Sequence, residues 1–309
     1  MGKSRSAFGY PLLRLCTLVE CGTRALLGAA FGPEDQPETA YASRLLDKLT
    51  GQMLVLLDAG FDSADFLLEL QDNGAHFLCR SGASRNPLIH RRLPDGSYLS
   101  MFRQHKKPVR IIEAWITVRL QDGTVQRQQW RLLTSLMDHT RHPAAELVEV
   151  YHQRWEIEIS YFSIKCSLLH GRVLRSARCE DIEQEVYALL AVHQAVLRIT
   201  DDAVVCRPGL DPDRISVTVA LETARDEVLT ASGILAPAKG AHPLIGAIGN
   251  AVLDRLLPPR RRRLKARIRK GRFTKYCLNA GKTPVTQQQY TVHTEVVVME
   301  EGLTNRSRR

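Results

Sequence analysis

Apolar and polar positions along the first third of the chain alternate, cluster and alternate again, setting strands against helices. Leu12 to Glu20 and Thr23 to Phe31 are β-prone runs separated by Cys21 and Gly22, a two-residue connection of the hairpin kind. Gly32, Pro33 and Pro37 break the chain. Glu38 to Leu49 then sets Ala42, Leu45, Leu46 and Leu49 on one helical face, and Gly51 stops it. Met53 to Leu57 is a continuous apolar run, the pattern of a strand buried on both faces. Asp58 follows at its carboxyl end, where open α/β sheets gather ligand groups. A second helix is expected from Ser63, its cap, through Phe66, Leu67 and Leu70 to the stop at Asn73 and Gly74, with a strand from His76 to Cys79 after it.

From Ser81 to about Met137 the pattern becomes β. Ser97 to Phe102, Val109 to Leu120 and Val125 to Leu136 read as strands, with Asp122 and Gly123 marking a tight turn. Pro143 suits the first turn of a helix that runs on from Ala144 to Lys165. Asp181 to Ile199 is a long helix with Ile182, Val186, Leu189, Leu190, His193 and Leu197 inward, so His193 reads as a packed core histidine rather than a ligand. Ser216 to Leu229 is a further helix, Ala236 to Leu257 is loosely helical, and Lys282 to Arg309 is polar and irregular. No repeat of 20 to 50 residues is visible.

The helix from Ala144 carries the candidate chemistry. Tyr151, Arg154, Glu158 and Lys165 follow at gaps of three, four and seven residues. At about 100° per residue they share an arc of roughly 60°. Leu147 and Phe162 lie on or beside that stripe and Val150, Ile157 and Ile164 to one side, so the charges are expected to face protein or a ligand. A carboxylate among cations can hold a metal while its neighbours grip phosphate oxygens. Arg154 and Glu158 also make an ordinary i,i+4 ion pair. Trp155 suits either base stacking or core packing, and packing is the simpler reading.

Length and charge sharpen this. A chain of 309 residues, 44% hydrophobic, has ample material for one large core or two moderate ones. No run of about 18 apolar residues occurs and Met1 to Tyr10 has no apolar signal core, so no membrane association and a cytoplasmic location are expected. Seven cysteines without a Cys-x-x-Cys pair argue against a zinc site or disulfide framework. Between Arg260 and Lys275 stand ten Lys or Arg residues and no acid; without them the remaining cations equal the 33 acidic residues, so the excess of +10 sits in this one block. Arg260, Arg261, Arg262 and Arg263 open it. Such a block is a phosphate-binding footprint, or else a solvated tail with incidental affinity for polyanions.

The order Tyr, two residues, Arg, three residues, Glu, six residues, Lys resembles the YREK signature of bacterial DDE transposases of the insertion-sequence-4 type. Its surroundings, YHQRWEIEISYFSIK, and the blocks Tyr10 to Gly32, Leu56 to Ser63, Leu93 to Ser100 and His142 to Glu158 resemble that family in the same order. The resemblance implies an α/β, ribonuclease-H-like catalytic core interrupted by a β-rich insertion and followed by a helical carboxyl-terminal region. The expected organisation is residues 1–80 as the first part of the core, 81–140 as the insertion, 141–200 as the second part with Glu158, 201–258 as the helical region, and 259–309 as a basic, flexible tail. It implies metal-dependent cleavage and transfer of DNA strands in transposition of an insertion sequence, with double-stranded DNA at transposon ends and target as partner and a homodimer in the synaptic complex. Asp58 and Glu158 fall on catalytic, metal-binding positions for two Mg²⁺ or Mn²⁺ ions. Tyr151, Arg154 and Lys165 fall on positions that contact DNA phosphates. Asp62 and Asp65 are expected to cap or decorate the following helix, and Asp58 taken alone is also an ordinary strand-end turn residue.

The likeness departs at the beginning. The family's first catalytic Asp ends a strand upstream of the block that starts here near Tyr10, and neither Asp35 nor Asp47 stands at a strand end. The expectation is a core lacking its first, central strand, in an amino-terminally truncated chain of impaired activity. The alternative is a catalytically inactive, DNA-binding transposase remnant.

Overall fold

The computed structural model describes residues 12–82, 85–102, 104–120, 123, 125–232, 244–258 and 291–299. It is a mixed α/β protein whose described chain divides into two compact units, one drawn from 1–16, 29–154 and 261–309 and the other from 17–28 and 155–260. Strands β1 (Leu13–Val19) and β2 (Leu26–Pro33) pair as a two-stranded sheet. Their link is longer than the two residues expected, because Glu20 N bonds Ala25 O at 2.9 Å. The Glu20 carboxylate collects the Gly22 and Thr23 amides at 2.9 and 2.6 Å, and Arg24 adopts a left-handed φ of 63° that turns its side chain inward.

In the first unit, α1 (Glu38–Ser43) buries Tyr41 and Ala42 and gives way to a short 3₁₀ turn at Leu46–Lys48, earlier than the expected end at Leu49. Strand β3 (Leu54–Leu57) leads through α2 (Ala64–Asp72) to β4 (His76–Arg80), which runs parallel to β3 with Leu57 opposite Cys79. Strands β5 (Arg91–Arg92), β6 (Tyr98–Phe102), β7 (Lys107–Leu120) and β8 (Val125–Thr134) complete a mixed sheet in the order β3-β4-β8-β7-β6-β5. Among the described residues β3 is an edge strand, and Leu57 alone of its four residues is buried. Its residues are covered from both sides of the sheet in part: Leu54 and Leu56 pack against the core around Leu78 and Leu147, and Leu57, on the alternate face, is buried. Helix α3 (Ala144–Tyr151) packs Leu147, Val148 and Tyr151 on a core with Ile112, Ile116 and Trp130.

The segment read as irregular supplies one more strand. β9 (Thr291–Val298) pairs antiparallel with the distal half of β7, Ala114 opposite Val298, and Val296 and Val298 pack against the same core. Its β-branched residues gain a partner far away in sequence.

The second unit is helical. Helix α4 (Glu156–Phe162) and a π-helical turn at Ser163–Leu168 precede the long α5 (Cys179–Val205), α6 (Val217–Ala231) and α7 (Leu244–Asp254). Ser216 caps α6 through the Val219 amide at 3.3 Å. The core joins Val196 and Leu197 of α5, Ala220 and Leu221 of α6, and Ile248 and Val252 of α7. Among the described residues no helix is long and apolar enough to cross a membrane.

His193 is 1% exposed inside this unit, and burial, reinforced by the Arg24 charge, lowers its pKa from 6.5 to about 4. The unfolded chain therefore takes up a proton between these values while the folded one does not, so stability falls as pH drops from 6.5 towards 4. Chemical denaturation across that window is expected to show this slope, and His193→Phe to flatten it.

Candidate functional site

The parallel pairing of β3 with β4 brings Asp58 and Arg80 to the same carboxyl end of the sheet. Asp58 is exposed, and its Oδ1 accepts from Gly60 N at 2.8 Å, which fixes the carboxylate at the head of a short 3₁₀ turn. Tyr151, 2% exposed at the end of α3, donates its hydroxyl to Leu57 O at 2.9 Å, one residue before Asp58. The Trp130 ring meets Tyr151 edge-on at 5.3 Å. Burial pushes the Tyr151 phenol upward; Arg154 and Arg80 pull against that and Asp58 adds to it. The signature phenol is thus a neutral strut on the backbone that presents Asp58.

Arg80 was not singled out by the sequence. It is half-buried with its guanidinium over the Trp130 ring at 5.5 Å. No carboxylate among the described residues lies within ion-pair distance of it, and burial lowers its pKa, with Arg154 lowering it further against Tyr151 and Asp58. A desolvated guanidinium in the field of a second one, with no side-chain donor bonded to a described residue, suits an anion. Its only sequence signal was a basic residue closing an apolar strand.

The single stripe expected from Ala144 to Lys165 is corrected. Helix α3 stops at Tyr151, a 3₁₀ turn spans His152–Trp155, α4 follows, and the π-helical turn carries Lys165. In a 3₁₀ turn residues three apart eclipse, and a π turn widens the spacing, so the constant 100° step does not hold. Tyr151 and Arg154 belong with Asp58 and Arg80 in the first unit; Glu158 and Lys165 belong to the second. Glu158 is half-buried on α4. Lys165 is exposed, with Nζ 5.3 Å from the centroid of the Tyr161 ring. Phe162 is 61% exposed, so that part of the face is open rather than packed. Trp155 is half-buried. Arg260, Arg261, Arg262 and Arg263 lie outside the described residues.

Asp62 does not cap α2. Its buried carboxylate accepts from Ser81 Oγ and Gly82 N at 3.0 Å and from Arg85 Nε at 3.1 Å, tying the loop after Asp58 to the loop after β4. Ser63 occupies the cap position without a side-chain bond. Among the described residues no group of three or more His, Cys, Asp or Glu is arranged to hold a metal. Asp58 still offers what Mg²⁺ requires of a protein ligand, an oriented and solvent-facing hard oxygen, because that ion takes one or two carboxylates and completes its shell with water and phosphate.

The transposase DDE domain family matches residues 2–194 of the chain. The chain is 28% identical over 277 residues to the transposase InsG for insertion sequence element IS4 of Escherichia coli (strain K12), covering 86% of this chain and 61% of that protein. It is also 36% identical over 67 residues to the putative transposase InsZ of the same organism, covering 22% of each. The chain thus spans about three fifths of the length of the first of these relatives.

Proposed function

The chain belongs to the transposase DDE domain family, and from that premise we propose that it cuts and joins DNA strands at the ends of an insertion sequence. In this reading the substrate is double-stranded DNA, the catalytic core is ribonuclease-H-like, and Asp58 and Glu158 are the carboxylates that hold divalent metal. Two bound ions, Mg²⁺ or Mn²⁺, supply activation of the attacking oxygen and stabilisation of the leaving one. The family's dimeric synaptic complex is part of the same proposal. The parallel β3–α2–β4 unit, with an acid at the end of its first strand, supports the core assignment.

The observation that carries the reading is the gathering of Asp58, Arg80, Tyr151 and Arg154 at one end of the sheet. Tyr151 sets the height of the Asp58 backbone. Arg154 and Arg80 bind and orient a phosphate beside the carboxylate. Trp130 covers one face of the Arg80 guanidinium, so its free edge is directed to the ligand. Lys165 adds a mobile point charge, and Arg260 to Arg263 add phosphate affinity of low sequence content.

The test is cleavage of a duplex carrying the element's terminal sequences. Cut strands are expected with Mg²⁺ and none with chelator. Arg80→Ala is expected to weaken duplex binding and lower the slope of log affinity against log salt by about 0.9, the loss of one phosphate contact. Cutting that persists in chelator rejects the metal-dependent reading, and a parental slope removes Arg80 from the grip.

A further inference from the structure

The block LPDGSYLS, Leu93 to Ser100, supplies no group to the chemistry above. Its Asp95 is nevertheless the centre of a dense polar knot. The carboxylate is paired with Arg110 of β7, whose side chain is fully buried while that of Asp95 is 16% exposed. Asp95 Oδ2 also accepts from Ala144 N, the first residue of α3, at 2.9 Å. Its Oδ1 accepts from Ser97 N at 3.2 Å and Ser97 Oγ at 2.6 Å. Arg110 spends three further donors on the same neighbourhood: Nε to Ser97 Oγ at 2.9 Å, and Nη1 to Leu136 O at 3.1 Å and His142 O at 2.7 Å. The turn that presents Asp95 needs Gly96, at a φ of 81°, where an added Cβ would stand 3.0 Å from Val298 Cγ1 of β9.

All of these groups lie in the first unit, and they close on one object. Leu136 and His142 bound the loop that delivers the chain to α3, and Ala144 begins it. The far end of the same eight-residue helix is Tyr151, which holds Leu57 O next to Asp58. A rigid helix transmits a shift of its first turn to its last. We propose that Asp95 and Arg110 are positioning residues, a clasp that sets the register of α3 and so places Tyr151 and Arg154 against the Asp58 end of the sheet. The assignment of a role at the site rests on the function proposed above; the mechanical coupling of Asp95 to Tyr151 does not.

The chemistry of the clasp explains why it takes a carboxylate. Both oxygens are acceptors, one towards Ser97 and one towards Arg110 and Ala144. An asparagine puts an NH₂ against donors whichever way its amide turns. Arg110 is equally specific, because its planar fork reaches an acid, a hydroxyl and two carbonyls at fixed angles that a lysine ammonium does not match.

The test compares Asp95→Asn with Ser97→Ala, which removes one hydroxyl from the knot and leaves both charges in place. Each is followed by hydrogen–deuterium exchange resolved along the chain, and by the ¹⁹F spectrum of fluorotyrosine-labelled protein with the Tyr151 signal assigned through Tyr151→Phe. Exchange over 144–151 is expected to rise about tenfold in Asp95→Asn and by a smaller factor in Ser97→Ala, as a lost partner for a buried donor implies, while β6 and β7 change by less than about twofold. The Tyr151 signal is expected to move in step. A helix that exchanges as in the parent, an equal rise throughout the unit, an unmoved Tyr151 signal, or loss of folding in both variants overturns the clasp. None of these readouts requires DNA cleavage, so a chain that proves unable to cut DNA refutes the proposed function and leaves the clasp to be judged separately.

Discussion

Asp58→Asn is expected to reduce Mg²⁺-dependent cleavage of a terminal duplex by about 10³-fold or more, several kcal/mol of transition-state stabilisation at 1.36 kcal/mol per decade, while leaving the thermal midpoint within a degree or so of the parent. The separation is possible because of how Asp58 is held. Its Oδ1 accepts from Gly60 N at 2.8 Å, and an asparagine oxygen accepts the same bond. The side chain is exposed, so the charge contributes little to folding. Removed with the charge is the ability to bind a hard cation, which neutral amides do poorly. Glu158→Gln is expected to match it in cleavage. The measurement is single-turnover cleavage beside a thermal scan, and a cutting rate within tenfold of the parent ends the assignment of Asp58. Should the parent bind the duplex in a salt-sensitive way yet never cut it, the catalytically silent, DNA-binding reading takes its place.

The residues show why some of this was legible in the chain and some was not. Local periodicity located α2, α5, α6 and the strands β6, β7 and β8 because each buries a face whose spacing repeats within a few residues. The run ending in Asp58 was readable as a strand for the same reason, but its edge position is a property of the sheet. The strand β9 escaped notice because its partner β7 is remote in sequence, so nothing local marks Thr291–Val298 as paired. The break of the signature helix into α, 3₁₀ and π turns is equally silent in the sequence, since each turn type accepts the same residues. Arg80 and Arg110 illustrate the hardest case. Of 43 Lys and Arg residues, composition does not say which are desolvated; Arg110 is fully buried and Arg80 rests on Trp130, and both facts arise only once four strands are side by side.

Two glutamates two residues apart, Glu156 and Glu158, give the sharpest contrast between fold and chemistry. Glu156 is 3% exposed and its Oε2 accepts from Arg24 Nε at 2.9 Å; Arg24 Nη2 reaches Asp213 Oδ1 at 3.0 Å. The hairpin turn, α4 and the segment before α6 are thus joined within the second unit by a triad, in which the Arg24 and Glu156 side chains are 7% and 4% exposed and that of Asp213 is 28% exposed. Removing one partner of such a pair leaves a buried charge uncompensated, so Arg24→Ala is expected to destabilise by about 3–5 kcal/mol in chemical denaturation. The left-handed φ of 63° at Arg24 adds nothing to that figure, because alanine tolerates it no better than arginine. Arg24→Gly removes the ion pair and the backbone strain together, because glycine adopts that conformation freely. Arg24→Gly is therefore expected to lose less than Arg24→Ala by about 1 kcal/mol, and an Arg24→Ala loss under about 1 kcal/mol would end the assignment of stability to the ion pair. Glu156→Gln should also lose stability, and the scissile chemistry should fail only in proportion to the protein left folded. Glu158→Gln inverts that pattern, with folding kept and cleavage lost, and this inversion distinguishes the glutamate that joins elements from the one assigned to metal.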